Sequence, residues 1–388
     1  MDRKITDKIF YAGVKDTTLD LFESQYQVPD GVTYNSYVIL DEQIAIMDTV
    51  DPRATEEWMD NLKEILEGKA PDYLIISHVE PDHGGSIQRL ADACPQMKLV
   101  GNIKTFQMLN QFFALDLENR KVVVKEGDTL SLGSHTLHFS MAPMVHWPEV
   151  MVTYEDKEKI LFSADGFGTF GTSMDEKDWI NDARRYYMNI VGKYGAPVQA
   201  LLKKAAALDI ACICPLHGPI LKENLGYFLE KYDIWSSYRP EEEGVVIACA
   251  SIHGHTKKAA EKLEELLKDK GETSVICIDL TRDDLSKAVE TAFRYDQLVL
   301  ATATYDGGIF PPMEDFLHHL KAKTFQNRRI ALMENGSWAP MAAKGMKGIL
   351  EGMKNLTFCE TTVTIKSAMN EETVQQLDKL ADELVKRA

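Results

Sequence analysis

From residue 244 to its end, the sequence alternates regularly between strand-like and helix-like segments. Apolar strand segments such as "VVIACASI" and "QLVLATAT" alternate with segments of helical period such as "TKKAAEKLEELLKDKG" and "PPMEDFLHHLKAK". Five such units fit into about 145 residues, which predicts a doubly wound, parallel five-stranded sheet with helices on both faces. The strands are rich in Val, Ile and Leu, as expected for strands buried on both sides.

Residues 1–238 have a different pattern, in which many short strand candidates in hairpins are interrupted by a few helical segments. This pattern predicts a layered α/β sandwich with mixed sheets. Between the two halves, "RPEEEGVV" combines a proline, three glutamates and a glycine, which is typical of a solvated linker. We therefore predict two domains, residues 1–239 and 244–388.

Composition and charge exclude several classes of protein. The net charge of −17 argues against nonspecific binding to nucleic acid or to an anionic membrane. No apolar run approaches the roughly 20 residues of a membrane-spanning helix, and the N-terminal segment lacks a signal-peptide core, so we expect a cytoplasmic protein. The sequence contains no CxxC pair, which excludes a rubredoxin-like or zinc-ribbon site within it.

The stretch "SHVEPDHGG" places His78, Glu80, Asp82 and His83 directly after the apolar strand segment "YLII". In an extended segment, alternation points His78, Glu80 and Asp82 to the same side, and the glycines permit a tight turn into a helix at Ser86. Four ionisable groups this close repel one another or stay half satisfied unless a cation lies between them. The cluster therefore predicts a site for divalent metal.

Three further strand-like stretches end in a potential ligand: "SMAPMVHWP" in His146, "ILFSADGFG" in Asp165 and "ACICPLHGP" in His217. Taken singly, each is better explained as a surface or capping residue than as a ligand. Together with the cluster they supply four imidazoles and three carboxylates, enough for two ions that share Asp165 as a bridge. Imidazole and carboxylate ligands with open positions suit iron and oxygen chemistry, whereas sulfur-rich sets indicate other metals.

In the C-terminal half, the loop "SIHGHT" follows the first strand and opens a helix. Alone it would indicate a simple helix cap, but backbone N–H groups and hydroxyls at such a position also bind phosphate. The third and fourth strands end in "TATYDGGIFPP" and "ENGSWAPMAA", two glycine-bearing loops with an aromatic residue at the same sheet edge. A G-x-G-x-x-G fingerprint is absent, which argues against directly bound NAD. We predict an FMN site formed by Ser251, His253, Gly254, His255, Thr256, Thr304, Tyr305, Asp306, Gly307, Gly308, Asn335, Gly336, Ser337 and Trp338.

These motifs together resemble the flavodiiron proteins. That family joins an αββα metallo-β-lactamase-like sandwich, with Glu in place of the usual middle His of its metal motif, to a flavodoxin-like FMN-binding domain. The resemblance spans nearly the whole chain and includes "TYNSYVI", "DTV", "HWP" and "LFSADGFG". It implies a first iron held by His78, Glu80 and His146, a second held by Asp82, His83 and His217, and Asp165 as the bridging carboxylate.

Two positions depart from the pattern of many family members. Glu149 stands where many carry Asp after "HWP", and Phe170 stands where many carry a His. We predict a catalytic role for Glu149 in positioning a proton-carrying water. Phe170 removes a possible hydrogen-bond donor beside the metals, which bears on the preference between O2 and NO.

The resemblance implies reduction of O2 to water, of NO to N2O, or of both. Electrons would pass through FMN from an external donor such as rubredoxin or a reduced deazaflavin. It also implies a head-to-tail homodimer or dimer of dimers, in which the FMN of one chain faces the irons of the other.

Two other functions stay open on the residues alone. One is a zinc hydrolase of the metallo-β-lactamase fold fused to an FMN electron-transfer module. The other is an electron-transfer or sensor protein with a structural metal site. Glu80 argues against the hydrolase, because hydrolases of this fold usually carry His at that position.

Overall fold

A computed structural model of the chain describes residues 3–114 and 119–387. The chain divides into two compact units, Met1–Tyr187 with Ala196–Asp233, and Met188–Gly195 with Ile234–Ala388. The first unit holds most of the N-terminal half and the second holds the alternating C-terminal segments. A boundary between functional domains near residue 239 stays a prediction.

The N-terminal half is built from short strands and seven helices among the described residues. The strands are β1 Ile9–Tyr11, β2 Val14–Asp16, β3 Leu21–Phe22, β4 Tyr26–Gln27, β5 Val32–Tyr34, β6 Tyr37–Leu40, β7 Ile44–Met47, β8 Tyr73–Ile75, β9 Lys98–Gly101, β10 Lys121–Val123, β11 Thr129–Ser131, β12 Thr136–Met141, β13 Met151–Glu155, β14 Ile160–Phe162 and β15 Cys212–Cys214. The helices are α1 Thr55–Leu66, α2 Pro81–Gly84, α3 Ile87–Ala93, α4 Ile103–Phe112, α5 Trp179–Tyr186, α6 Gly195–Ala205 and α7 Leu225–Ser236.

Two mixed sheets form the centre of the first unit. Their strand orders are β1-β6-β7-β8-β9-β10 and β11-β12-β13-β14-β15, with β2 and β5 and the hairpin of β3 and β4 as separate pairs. Apolar side chains from the two sheets share one core, among them Ile39 and Ile75 from the first sheet and Phe139 and Phe162 from the second. The layered sandwich predicted from the sequence is therefore present.

The C-terminal segments form the predicted strand–helix units. The strands are β16 Glu242–Ala250, β17 Val275–Asp279, β18 Tyr295–Tyr305, β19 Gly308–Ile309, β20 Arg328–Asn335 and β21 Leu356–Ile365. The helices are α8 His255–Asp269, α9 Leu285–Arg294, α10 Pro311–Ala322, α11 Ala342–Leu350 and α12 Glu371–Val385. The main sheet has the order β17-β16-β18-β20-β21 and all its pairings are parallel, so the predicted doubly wound sheet is confirmed.

The linker prediction needs one correction. β16 already begins at Glu242, and Glu242 pairs with Tyr295 of β18, so part of "RPEEEGVV" belongs to the sheet. A bulge between Glu242 and Val245 lets this charged start of the strand precede its buried apolar run. In the part of the chain that the structure describes, no helix is long and apolar enough to span a membrane.

Candidate metal centre and cofactor pocket

The seven predicted ligands converge because the strands that carry them end at one edge of the sandwich. His78 follows β8, His146 follows β12, Asp165 follows β14 and His217 follows β15. Their side chains are almost fully buried, with His146 the most exposed of the four at 8%. The sandwich thus gathers onto one spot ligands that are far apart in sequence.

The segment that holds the ligand cluster is not extended as predicted. Pro81–Gly84 forms the short helix α2, with Glu80 at the N-cap and Pro81 at the first helical position, where its fixed φ favours a helix. Asp82 and His83 therefore lie on a helical turn, and the alternation that was expected to align Asp82 with the two preceding ligands is wrong.

The two glycines after His83 serve close packing rather than a turn with positive φ. Gly85 has φ −64°, and a Cβ atom there would lie 2.4 Å from Cδ of Pro52. A Cβ atom on Gly84 would lie 2.7 Å from the carbonyl oxygen of Val79. α3 then begins at Ile87 with Ser86 at its N-cap, as the sequence predicted to within one residue.

The first ligand group consists of His78, Glu80, His146 and one oxygen of Asp165. Nε2 of His78 lies 3.2 Å from Oε2 of Glu80 and 3.3 Å from Oδ2 of Asp165. Nε2 of His146 lies 3.1 Å and 3.2 Å from the same two oxygens. Two imidazole nitrogens and two carboxylate oxygens therefore face a common point.

The second group consists of Asp82, His83 and His217. Nε2 of His83 lies 3.3 Å from Oδ2 of Asp82 and 3.1 Å from Nε2 of His217. Oδ1 of Asp165 lies 3.2 Å from Nε2 of His83 and 3.8 Å from Nε2 of His217. Because its two oxygens face different groups, Asp165 has the geometry of a bridging carboxylate.

The residues present fit a pair of metal ions. Ligand bonds of about 2.1 Å around one ion place neighbouring donor atoms roughly 3.0–3.4 Å apart, as observed in both groups. Oδ1 of Asp82 and Oδ1 of Asp165 are buried without a hydrogen-bond partner among the described residues. Buried carboxylate oxygens without partners are costly, and a metal ion satisfies them.

The electrostatics of the site also favour cations. Burial lowers the pKa of His146, but Asp165 and Glu80 outweigh this effect and raise its pKa to about 9. Burial opposes ionisation of Glu80, yet hydrogen bonds from His146 and His78 lower its pKa to about 2. Glu80 thus stays ionised, and the site favours a positive charge next to the imidazole nitrogens. A bound metal ion supplies that charge.

Hydrogen bonds behind two of the candidate ligands fix which imidazole nitrogen faces the ligand group. Nδ1 of His217 donates to the carbonyl oxygen of Thr33 at 2.6 Å, and Nδ1 of His78 donates to Oε1 of Glu149 at 2.7 Å. In both residues Nε2 is left for the ligand role. Such partners hold the ring orientation and raise the basicity of a metal-binding histidine.

Glu149 lies behind His78 and is fully buried. Its Oε1 also accepts a hydrogen bond of 3.1 Å from the backbone N–H of Val79. These contacts favour a positioning role through His78. The predicted catalytic role in positioning a proton-carrying water stays a prediction.

We expect Glu149→Ala to weaken metal binding by roughly 10–100-fold, the usual cost of removing a hydrogen-bond partner of a metal-binding histidine. Glu149→Asp, which keeps the carboxylate, should retain most of the affinity. The measurement is competition with a chelator of known affinity. Wild-type affinity in Glu149→Ala would rule out the positioning role.

Asp48 supports the cluster and was not predicted as a site residue. Its buried Oδ1 accepts hydrogen bonds from the backbone N–H of Ser77 at 2.7 Å and of His78 at 3.3 Å. Burial raises the pKa of Asp48 to about 6. The motif "DTV" marks this residue in the sequence, but the contact with residue 77 is visible only in the fold.

The second unit contains a cavity of about 810 Å³ at the carboxyl ends of β16, β18 and β20. All residues predicted for the FMN site line it except Gly254 and Gly308. Five lining residues were not predicted: Ile252, Ala303, Ala339, Met341 and Ser367. Ser367 belongs to the loop after β21, a strand end that gave no glycine or aromatic signal.

The loop before α8 has the features of a phosphate site. Gly254 is the N-cap of α8 with φ +84°, and its N–H donates to Oγ of Ser251 at 3.1 Å. The first N–H groups of α8 have no acceptor within the helix and so are available to an anion. Gly254 thus shapes the loop although it does not line the cavity.

Two large aromatic side chains at the cavity are exposed. Trp338 is 93% exposed and Tyr305 is 46% exposed, so neither is explained by packing in the core. Such side chains suit stacking on a flat ring system. The cavity therefore fits a ligand that combines a phosphate with a planar aromatic ring, as FMN does.

Fold and site together define a metallo-β-lactamase-like domain with a two-metal ligand set, followed by a flavodoxin-like domain. Residues 32–218 match a family described as "ODP family beta lactamase". The chain is 26% identical to the nitric oxide reductase of Moorella thermoacetica, over 99% of this chain and 98% of that protein. The rubredoxin oxygen:oxidoreductase structure from Desulfovibrio gigas is 27% identical, with a TM-score of 0.92 over 98% of this chain and 97% of that one.

A flavodiiron protein structure from Giardia intestinalis shares the fold, with a TM-score of 0.88 at 23% identity over 99% of this chain and 97% of that one. The chain belongs to the flavodiiron proteins, a family of oxidoreductases. Both predicted parts of the fold are thereby confirmed.

Proposed function

We propose that this chain reduces O2 to water, NO to N2O, or both, at two iron ions bound in the first unit. The observation that carries the proposal is the position of Asp165 between the two ligand groups. Its Oδ2 lies 3.2–3.3 Å from histidine Nε2 atoms of the first group, and its Oδ1 lies 3.2 Å from a histidine Nε2 atom of the second. A reduced iron pair with a flavin supplies the electrons, four for O2 and two for a pair of NO molecules.

The protein holds this centre in a form suited to redox chemistry. Both groups combine imidazole with carboxylate, and neither includes a cysteine among the described residues. Ionised carboxylates stabilise the higher charge of oxidised iron, and buried histidines fix the spacing. Glu80 supports iron over the zinc of a hydrolase, because it adds a negative oxygen ligand where hydrolases of this fold usually carry an imidazole.

FMN is the cofactor that best fits the cavity of the second unit. The loop from Ser251 to Thr256 would hold its phosphate, and the aromatic side chains of Tyr305 and Trp338 would flank its ring. Asn335 donates from Nδ2 to the carbonyl oxygen of Ser367 at 3.0 Å, which joins two loops of the cavity.

We expect Trp338→Ala and Tyr305→Ala each to weaken FMN binding by about tenfold, since one aromatic stacking contact contributes roughly 0.5–1.5 kcal/mol beyond area burial. Both side chains are exposed, so folding should be unaffected. Titration of flavin-free protein, followed by quenching of flavin fluorescence, measures the dissociation constant. Phe112→Ala, an exposed aromatic in the other unit, is the control, and equal affinity in all variants would contradict this placement of the ring.

The electron donor and the assembly are also part of the proposal. A relative of this chain from Megalodesulfovibrio gigas is a rubredoxin-oxygen oxidoreductase, 28% identical over 99% of this chain and 97% of that protein. Rubredoxin, or a reduced deazaflavin, is therefore the donor to test first. A head-to-tail homodimer or dimer of dimers would bring the FMN of one chain to the irons of the other.

Metal analysis and anaerobic mixing test the proposed function. We expect about two iron ions per chain, and rapid reoxidation of the reduced protein by O2, NO or both. About two zinc ions without iron would instead support the hydrolase. A protein that holds iron but is not reoxidised by either gas would be a carrier or sensor.

A further inference from the structure

Aromatic rings close one side of the metal centre. The ring of Phe22 lies edge-on to the imidazole of His217, with centroids 5.4 Å apart, and at the same distance from the ring of Phe170. The ring of Tyr186 also contacts both groups, with its centroid 5.1 Å from that of Phe170 and 5.6 Å from that of His217. We call Phe22, Phe170 and Tyr186 the aromatic wall.

Two carboxylate ligands are more open to solvent than the histidine beside the wall. The side chains of Glu80 and Asp82 are 17% and 12% exposed, whereas His217, which contacts the wall, is fully buried. A small apolar molecule such as a diatomic gas prefers apolar surroundings to polar ones. The apolar rings of the wall therefore offer such a molecule a favourable approach.

Two members of the wall are firmly held. Phe170 lies under the guanidinium of Arg185, whose Cζ is 4.6 Å from the ring centroid, and Arg185 pairs with Asp182 at 2.8 Å. Tyr186 is the last residue of α5 and is 1% exposed. Movement of Phe170 would disturb its contact with this ion-paired guanidinium, and movement of Tyr186 would disturb the end of α5.

Phe22 has a different support. It lies on the hairpin of β3 and β4, whose strands are two residues each, and the tip residues Glu23 and Ser24 are exposed with φ +48° and +57°. An isolated two-stranded hairpin is only marginally stable, so its position depends on its packing. Its far end is tied to Arg185, whose Nη1 donates to the carbonyl oxygen of Gln27 at 2.8 Å.

Given the function proposed above, we propose that Phe22 is a gating residue. Its ring controls the approach of the diatomic gas, from the hairpin side, to the metal held by Asp82, His83 and His217. The ring leaves this position when the hairpin tip lifts, while Arg185 keeps the base of the hairpin in place.

The test compares a rate of access with an equilibrium affinity in the iron-loaded protein. Stopped-flow absorbance follows NO association with the reduced centre, and a titration gives the azide affinity of the oxidised centre. We expect Phe22→Ala to speed NO association about tenfold and Phe22→Trp to slow it by a similar factor, as for a residue that limits access. Azide affinity should stay within about twofold in both variants, because it depends on the ligands alone.

Phe106→Ala is the matched control, since Phe106 is buried to a similar degree on α4 and should leave both measurements unchanged. Iron content is measured for every variant, and Phe22→Leu replaces Phe22→Ala if the latter binds less iron. An unchanged rate of NO association in the Phe22 variants, or an equal change in Phe106→Ala, overturns the gate. Wild-type protein without iron or without a reaction with gas overturns the proposed function itself.

Discussion

Asp165→Ala should abolish gas reduction and lower the iron content below about two per chain, because one residue serves both ligand groups. Its Oδ2 lies 3.2 Å from Nε2 of His146, and its Oδ1 lies 3.2 Å from Nε2 of His83. Losing several kcal/mol of charge stabilisation corresponds to roughly a thousandfold in rate. Iron analysis and oxygen or NO consumption measure the two effects.

A second aspartate of the same unit that pairs with a histidine provides the control. Asp41 pairs through Oδ2 with Nδ1 of the buried His135 at 2.7 Å and is itself half-buried, but it belongs to neither ligand group. Asp41→Ala should lower the free energy of unfolding by about 1–3 kcal/mol, since it leaves a buried imidazole unpaired. It should keep iron and activity. Equal loss of iron in both variants would mean that general destabilisation, not the bridge, explains the Asp165 result.

The C-terminal sheet was predictable because burial on both faces leaves a continuous apolar run in each strand. Val245, Ile247 and Val299 are fully buried within such runs. The start of β16 was not predictable in the same way. Glu242 and Glu243 are typical of a linker, and Glu242 joins the sheet by pairing with Tyr295 of the neighbouring strand β18.

The convergence of the candidate ligands was predictable because the segments that carry them follow apolar strands, a pattern that is visible in the sequence. The short helix α2 was not, since four residues carry no helical period and its form depends on the N-cap and on packing against Pro52. Asp48 and Ser367 act through contacts with residues far away in sequence. Neither position has a local signal that would assign its partner.

Under the proposed function, Glu80 is the side chain that favours iron redox chemistry over zinc hydrolysis. Its Oε2 lies 3.2 Å from Nε2 of His78 and 3.1 Å from Nε2 of His146, so it faces the common point of the first ligand group. Its low pKa keeps it ionised across the physiological range of pH. A carboxylate at this position supplies negative charge that favours oxidised iron.

Glu80→His should therefore shift the bound metal from iron toward zinc, because a third imidazole in the first group suits zinc better. It should also lower gas reduction by at least about tenfold, because the substitution removes that negative charge. Glu80→Asp is the matched variant, since it keeps the charge and shortens the side chain by one methylene. It should retain iron while losing part of the activity. Metal analysis after growth with both iron and zinc supplied measures the shift. Unchanged iron content and activity in Glu80→His would show that the remaining six ligands alone select the metal.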